Sequence, residues 1–175
     1  MMKPLSHIKV LDLTLARAGP TAVRLLTDWG AEVTRVEPPA KTEAGDIGGA
    51  RYSPDAQNLH RNKRGMCLNL KHPQGLAVFL KLVAQADVVV ENFRRDVKHR
   101  LKIDYESLKK VNPRLIYGSI SGFGQTGPYS ERPGVDQIVQ GTSGLMSITG
   151  DPEGDPTRVG IAISDTSAGM FLGQG

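Results

Sequence analysis

The sequence contains one cysteine among 175 residues, so no disulfide framework can form within the chain. That residue, Cys67, lies in the apolar stretch 66–70, and we expect a small buried strand residue rather than a catalytic thiol. The four histidines are scattered and show no metal-ligand spacing. The sequence therefore predicts no metal site.

Long apolar runs are also missing, and none approaches the roughly 20 residues needed to span a bilayer. The first five residues, Met1–Leu5, include a lysine and a proline and lack the apolar core of a signal peptide. We therefore expect a cytoplasmic protein that does not interact with membranes.

Aromatic residues make up only 5% of the chain, whereas basic residues are concentrated and the net charge is +4. Surfaces that bind single-stranded nucleic acid combine basic with aromatic side chains, so we expect no nucleic-acid partner. Two explanations remain open, a solvated helix face and a surface for a polyphosphate ligand. The basic groups are Arg61, Lys63, Arg64 and Lys71, and then Arg94, Arg95, Lys98, His99, Arg100 and Lys102.

Glycine and proline are frequent, with 20 and 11 residues, and they cluster at the ends of apolar runs. Segments with helical periodicity alternate with the apolar runs, which predicts an α/β fold with a doubly wound, mainly parallel sheet. Residues 40–64 are predicted to form a long loop, and the chain after Ser121 is predicted to be rich in loops until Val159. The predicted strands are 8–14, 31–37, 66–70, 87–93 and 114–120, and the predicted helices are 20–29, 73–83 and 105–111.

The first strand–helix loop, 15–20, occupies the position at which such folds bind nucleotides. It lacks the Gly-x-Gly-x-x-Gly fingerprint, and the chain has no Walker loop. Ordinary NAD binding is therefore not expected.

Asp165 follows the apolar run 159–163 and precedes the small residues Ala168 and Gly169. This setting can hold an ionised oxygen nucleophile, with backbone N–H groups nearby to accept developing negative charge. A simpler interpretation is that Asp165 caps a helix that begins just after it, since Asp is a favoured N-cap residue.

Short motifs follow one another along the whole chain. They are Ile8–Thr14 with Ala18–Pro20, Asp28–Val33 with Val36-Glu37, Asn62–Arg64, Asp87–Phe93, Asn112–Tyr117, Ser121–Gly124, Ser143–Met146 and Thr149-Gly150. In this order and spacing they resemble the family III CoA-transferases, the CaiB/BaiF family. The resemblance implies a Rossmann-like domain over residues 1–175, the N-terminal portion of the large domain of an interlocked homodimer.

The resemblance also implies a reaction. Asp165 attacks an acyl-CoA thioester to give a mixed anhydride, the released CoA forms an aspartyl-CoA thioester, and a second carboxylic acid takes over the CoA. Acyl-CoA donor and carboxylate acceptor are then the partners, CoA thioester is a substrate, and no tightly bound cofactor is expected. Asp136 is implied as a supporting residue. The implied CoA contacts are Arg17, Ala18, Leu68, Lys71, Asn92, Phe93, Val97 and Arg100, with Lys71 and Arg100 as phosphate partners.

Two alternatives stay open. The α-methylacyl-CoA racemases share this scaffold but need a second acid/base, by resemblance a histidine at the position of Val135, and valine cannot carry a proton. Family members are considerably longer than this chain and use a glycine-rich loop from beyond residue 175. The second alternative is therefore an inactive nucleotide-binding fragment, and we expect residues 1–175 alone to be inactive as a transferase.

Arg17 bears on the substrate. Oxalate-handling members of the family carry Gln at this position, and a guanidinium near the acyl end could pair with the distal carboxylate of a longer dicarboxylate such as succinate.

Overall fold

The computed structural model describes residues 3–39 and 53–175. Strands and helices alternate along both ranges. The strands are β1 (Lys9–Asp12), β2 (Glu32–Glu37), β3 (Arg64–Cys67), β4 (Val88–Glu91) and β5 (Ile116–Ser119). The helices are α1 (Ala18–Asp28), α2 (Pro54–His60), α3 (Pro73–Val83), α4 (Arg95–Arg100), α5 (Tyr105–Lys109), α6 (Asp136–Thr142) and α7 (Ile163–Gln174).

The strands form one parallel sheet in the order β3-β2-β1-β4-β5. Val10 of β1 lies opposite Val33 on one side and Val88 on the other. The chain runs outward from β1 to β3 and then returns to place β4 on the other side of β1. The prediction of a doubly wound parallel sheet is confirmed, and the point where the strand order reverses lies between β1 and β4.

Two apolar clusters cover the two faces of this sheet, because successive strand residues point to opposite faces. Leu11 faces a cluster that includes Phe79 of α3 and Leu108 of α5. Val10 faces the other cluster, which includes Val23 of α1 and Leu172 of α7. Helices α1 and α7 therefore share one face of the sheet.

Several local predictions were wrong. Residues 54–60, within the predicted loop, form α2, because Ser53 accepts a hydrogen bond from the N–H of Ala56 at 3.2 Å and Pro54 occupies the first turn. The rest of that loop, residues 40–52, lies outside the described residues. Strand β3 begins two residues earlier than predicted. Cys67 is exposed rather than buried, since β3 is an edge strand.

The segment after β5 is closed at its base by two glycines. A Cβ on Gly122 would lie 2.3 Å from the Cα of Gly134, and a Cβ on Gly134 would lie 2.2 Å from the Cα of Gly122. The two backbones therefore touch, and residues 123–133 form a loop between them. Helix α6 follows this contact, although the sequence predicted loop there.

Helix α7 packs closely on α1 through small residues. A Cβ on Gly169 would lie 2.3 Å from the carbonyl oxygen of Ala18 and 2.8 Å from Cβ of Thr21. One turn later, a Cβ on Gly173 would lie 3.2 Å from the carbonyl oxygen of Ala22. The absence of side chains at both positions lets the helix backbones approach and brings the first turn of α7 to the start of α1.

This contact generates a stability prediction. Replacing a helical glycine by alanine ordinarily stabilises a helix by about 1 kcal/mol. Gly169→Ala should instead destabilise the chain by about 1–3 kcal/mol, because the added methyl group overlaps the α1 backbone. Urea unfolding followed by circular dichroism measures the effect. Gly141→Ala, within helix α6, is the matched control, since a Cβ there would lie 3.8 Å from Met146 Sδ, an ordinary contact distance. Equal effects of the two changes would contradict the prediction.

Candidate active site

The candidate site lies at the carboxyl ends of β1 and β4, where the strand order reverses and open α/β sheets bind their ligands. The side chain of Asn92, just after β4, clamps the loop that follows β1. Its Oδ1 accepts from the N–H of Leu15 at 2.8 Å, and its Nδ2 donates to the Leu15 carbonyl at 2.8 Å. The next residue, Ala16, has φ of 58°, a left-handed conformation that costs a non-glycine residue energy. Asn92 therefore holds a strained loop in one shape, and this loop leads directly to Arg17.

Two buried ion pairs lie at the carboxyl ends of β1 and β4. Lys63 Nζ lies 2.9 Å from Asp12 Oδ2, and Lys98 Nζ lies 2.8 Å from Glu91 Oε1, with all four side chains at most 4% exposed. Lys98 also donates to the Ser119 hydroxyl at 2.8 Å. Breaking a buried pair leaves an uncompensated charge, so removal of either lysine alone should destabilise the strand ends. They are not part of a solvated basic surface.

Asp165 is the third residue of α7, half-buried, and not its N-cap, which is Ala162. The helix begins two residues before Asp165, so both the capping interpretation and the predicted helix start were wrong. Residues 159–162 form no strand. Burial raises the pKa of the Asp165 carboxyl above its ordinary value, and the negative charge of Asp136 raises it further. The Arg17 guanidinium opposes both effects.

Arg17 immediately precedes α1 and is about two-fifths exposed. Its Nη2 lies 2.5 Å from Asp55 Oδ2 at the start of α2. Arg17 thus interacts with two acidic residues. It forms an ion pair with Asp55, and its charge attracts Asp165 over a longer distance. This arrangement brings together the predicted nucleophile, the predicted supporting carboxylate Asp136 and one predicted CoA contact.

The other predicted CoA contacts are spread along the same edge of the sheet. Ala18 is buried at the start of α1, and Leu68 and Phe93 are partly buried against the apolar cluster beneath α3. Val97 is half-buried in α4. Lys71 is exposed in the turn before α3, and Arg100 is exposed on α4 with its Nη1 3.3 Å from Asp96 Oδ2. The structure therefore leaves Lys71 the more accessible of the two predicted phosphate partners.

Gln140 was missed by sequence reasoning, since 136–142 was predicted as loop. It is fully buried, and its Nε2 donates to Asp136 Oδ2 at 2.6 Å. The spacing of four residues between Asp136 and Gln140 is the signal that could have found it, because such residues are neighbours on a helix.

Within residues 3–39 and 53–175, no cluster of three or more His, Cys, Asp or Glu side chains could hold a metal ion. In the same ranges, no helix combines the length and the apolar character needed to cross a membrane.

Comparison with known sequences identifies the family. The chain matches the model of CoA-transferase family III over residues 5–175, and it belongs to this family. It is 47% identical to a succinate–glutarate CoA-transferase of Agrobacterium fabrum, over 96% of this chain and 44% of the relative. It is 44% identical to an acetyl-CoA:oxalate CoA-transferase of Acetobacter aceti, over 97% of this chain and 44% of the relative. The human succinyl-CoA:glutarate CoA-transferase is 40% identical, over 97% of this chain and 40% of the relative.

Solved structures agree with the sequence comparison. A CaiB/BaiF family protein from Brucella suis superposes with a TM-score of 0.89 at 37% identity, over 99% of this chain and 48% of that one. A hypothetical protein from Mycobacterium tuberculosis gives a TM-score of 0.87 at 34% identity, over 99% of this chain and 49% of that one. The chain thus spans less than half the length of the curated relatives and about half that of these structures.

The raised pKa of Asp165 has a consequence for stability. A carboxyl whose pKa is higher in the folded than in the unfolded state binds its proton more tightly when folded. Its ionised form therefore opposes folding above the unfolded pKa of about 3.9. Asp165→Asn should raise the midpoint of thermal unfolding at about pH 7, and the gain should shrink as the pH falls towards about 4. Scanning calorimetry across this range measures it. A gain that does not change with pH would show that charge is not its cause.

Proposed function

We propose that the protein carrying this chain is an acyl-CoA:carboxylate CoA-transferase and that Asp165 is its covalent nucleophile. The observation that carries the proposal is the position of Asp165, half-buried in the first turn of α7, where that helix meets the strained loop after β1. The relatives named above are CoA-transferases for dicarboxylic acids, which supports the same reaction class here.

The chemistry follows from the carboxylate. An Asp165 oxygen attacks the thioester carbonyl carbon, the carbon–sulfur bond breaks, and the CoA thiolate leaves behind an aspartyl-acyl anhydride. The thiolate then attacks the aspartyl carbonyl, which gives an aspartyl-CoA thioester and releases the first carboxylate. The incoming carboxylate repeats these steps in reverse, so that CoA leaves on the new acid and Asp165 is regenerated. No net proton is gained or lost.

The surroundings of Asp165 suit both its attack on a thioester and the binding of a dicarboxylic acid beside it. Partial burial removes water from the carboxylate and makes it more reactive towards a carbonyl carbon. Arg17 favours the ionised form of Asp165, although burial and Asp136 have the opposite and larger effect. Its guanidinium also offers a positive charge that can pair with the distal carboxylate of a dicarboxylic acid. The proposed acceptors are therefore dicarboxylates longer than oxalate. Val135 at the start of α6 has no ionisable group, so no observation favours racemisation.

The nucleophile can be tested by trapping. Asp165→Ala should abolish CoA transfer, because the anhydride and the aspartyl thioester can no longer form. In the presence of acyl-CoA, hydroxylamine should attack the activated carbonyl of residue 165 in the wild-type protein, displace the carboxylate or CoA, and leave an aspartyl hydroxamate that mass spectrometry detects. No hydroxamate should form on the variant. Asp155→Ala, a loss of the same carboxylate in an exposed loop, is the control and should behave as wild type. Transfer at a normal rate by Asp165→Ala would refute the proposal.

Recognition of the CoA phosphates can be measured by calorimetry without any turnover. Lys71→Ala should weaken CoA binding by about 1–2 kcal/mol, because a charge-assisted hydrogen bond to a phosphate is lost. Arg100→Ala should cost less, since Arg100 already shares its charge with Asp96. Lys81→Ala, an exposed lysine in the last turn of α3, is the matched control.

Titrations with dephospho-CoA show whether the 3′-phosphate is the partner, because a variant that has lost that contact should bind both ligands alike. If neither Lys71→Ala nor Arg100→Ala changes the affinity for either ligand, both residues are ordinary solvated surface charges.

A further inference from the structure

Gln140 is a fully buried polar residue that the reaction above does not use. Its side chain makes three contacts, and two of them reach the segment that leads into α7. Nε2 donates to the carbonyl of Ile161 at 3.2 Å as well as to Asp136, and Oε1 accepts from the N–H of Val159 at 2.9 Å. Both ends of the amide are therefore occupied, and the chain from 159 to 161 is fixed to α6.

Asp136 extends the link from α6 into the first turn of α7. One carboxylate oxygen, Oδ2, accepts from Gln140, while the other, Oδ1, accepts from the N–H of Ser164 at 2.8 Å and lies 3.4 Å from the N–H of Asp165. Helix α7 has no side-chain cap of its own, since its N-cap is Ala162. The carboxylate of Asp136 satisfies first-turn N–H groups that would otherwise have no partner, and its charge suits the positive end of the helix.

These contacts fix the backbone before Asp165 and the backbone at Asp165 itself. Gln140 fixes residues 159 and 161, and Asp136 fixes residues 164 and 165. Between 158 and 162 the backbone has no helix or strand of its own, and Gly160 has nothing within 4 Å of a Cβ position. The hydrogen bonds from α6 therefore supply the order that secondary structure does not.

We propose that Gln140 is a positioning residue for Asp165: it orients the Asp136 carboxylate and anchors the 159–161 backbone, so that the first turn of α7 presents the nucleophile in one geometry. This inference rests on the proposed function. It goes beyond it by assigning a role in the reaction to a buried amide that does not touch substrate.

The first test is Gln140→Met in the complete protein, which keeps the size of the side chain and removes all three hydrogen bonds. We expect kcat to fall roughly tenfold to a hundredfold, the loss typical of a reacting group displaced by about 1 Å. KM for acyl-CoA should change less than about twofold, because the predicted CoA contacts lie on other elements. Gln137→Met makes the same change on the exposed side of the same helix and should leave both constants unchanged.

Rescue by protonation separates positioning from packing. In Gln140→Glu, a protonated Glu can donate its O–H to Asp136 and accept from the N–H of Val159, whereas an ionised Glu can donate nothing and repels Asp136. The charged groups that face Asp165, Asp136 on α6 and Arg17 ahead of α1, stay in place. Burial and the adjacent Asp136 carboxylate should raise the pKa of a glutamic acid at this position well above its ordinary value. The kcat of Gln140→Glu relative to wild type should therefore rise severalfold between about pH 8 and about pH 5.5, while the ratio for Gln140→Met stays constant.

Three results would overturn the inference. They are a kcat for Gln140→Met no lower than that of Gln137→Met, a rise in KM that accounts for the whole loss, and a ratio for Gln140→Glu that does not change with pH. If Gln140→Met does not fold, the pH dependence of Gln140→Glu still decides. Hydroxylamine trapping on the wild-type protein is run in parallel. Absence of an aspartyl hydroxamate at residue 165 there refutes the nucleophile itself, whereas a hydroxamate on wild type together with an unaffected Gln140→Met refutes only the role of Gln140.

Discussion

The contact between α1 and α7 is the constraint on which the candidate site depends. Asp165 lies far along the chain from the loop after β1, and the two meet because Gly169 lets the backbones of the two helices touch. The same packing covers one face of the sheet with Leu172 and Val23. One close helix–helix contact therefore stabilises the fold and assembles the site. A side chain at Gly169 would disturb both together.

Burial and the neighbouring charges have opposing effects on the ionisation of Asp165. Burial and Asp136 both favour the protonated form, while Arg17 favours the ionised form. Arg17 is itself held by Asp55, so its position does not depend on Asp165. Asp136 has two effects, since it raises the pKa of Asp165 and also binds the N-terminal turn of α7. The helix start is stabilised by the same charge that makes Asp165 harder to ionise.

The sheet and its order of elements could be predicted from the sequence because alternating apolar runs such as 8–14 and 87–93 report burial directly. Asp165 could be named as a candidate from the sequence because the motifs of the family resemblance are short and local and can be recognised without the fold. Helix α6 and the burial of Gln140 could not be predicted in this way. Helix α6 is short and rich in polar residues, and Gln140 is buried only because residues 159–161 return to it across 19–21 positions. Cys67 was misjudged because an apolar run does not reveal which strand lies at the edge of the sheet.

The contact between Gly122 and Gly134 also limits which changes this part of the chain can accept. Since the two backbones meet, residues 123–133 leave and rejoin the domain at one point, and the start of α6 is set by that point rather than by the path of the loop. The entropy of closing a loop rises slowly with length, by about 0.6 kcal/mol for each doubling. A change in the length of the loop between the two glycines therefore costs little closure entropy, and the glycine contact keeps the start of α6 in place. The loop is free to acquire new contacts, while the two glycines themselves are not free to change.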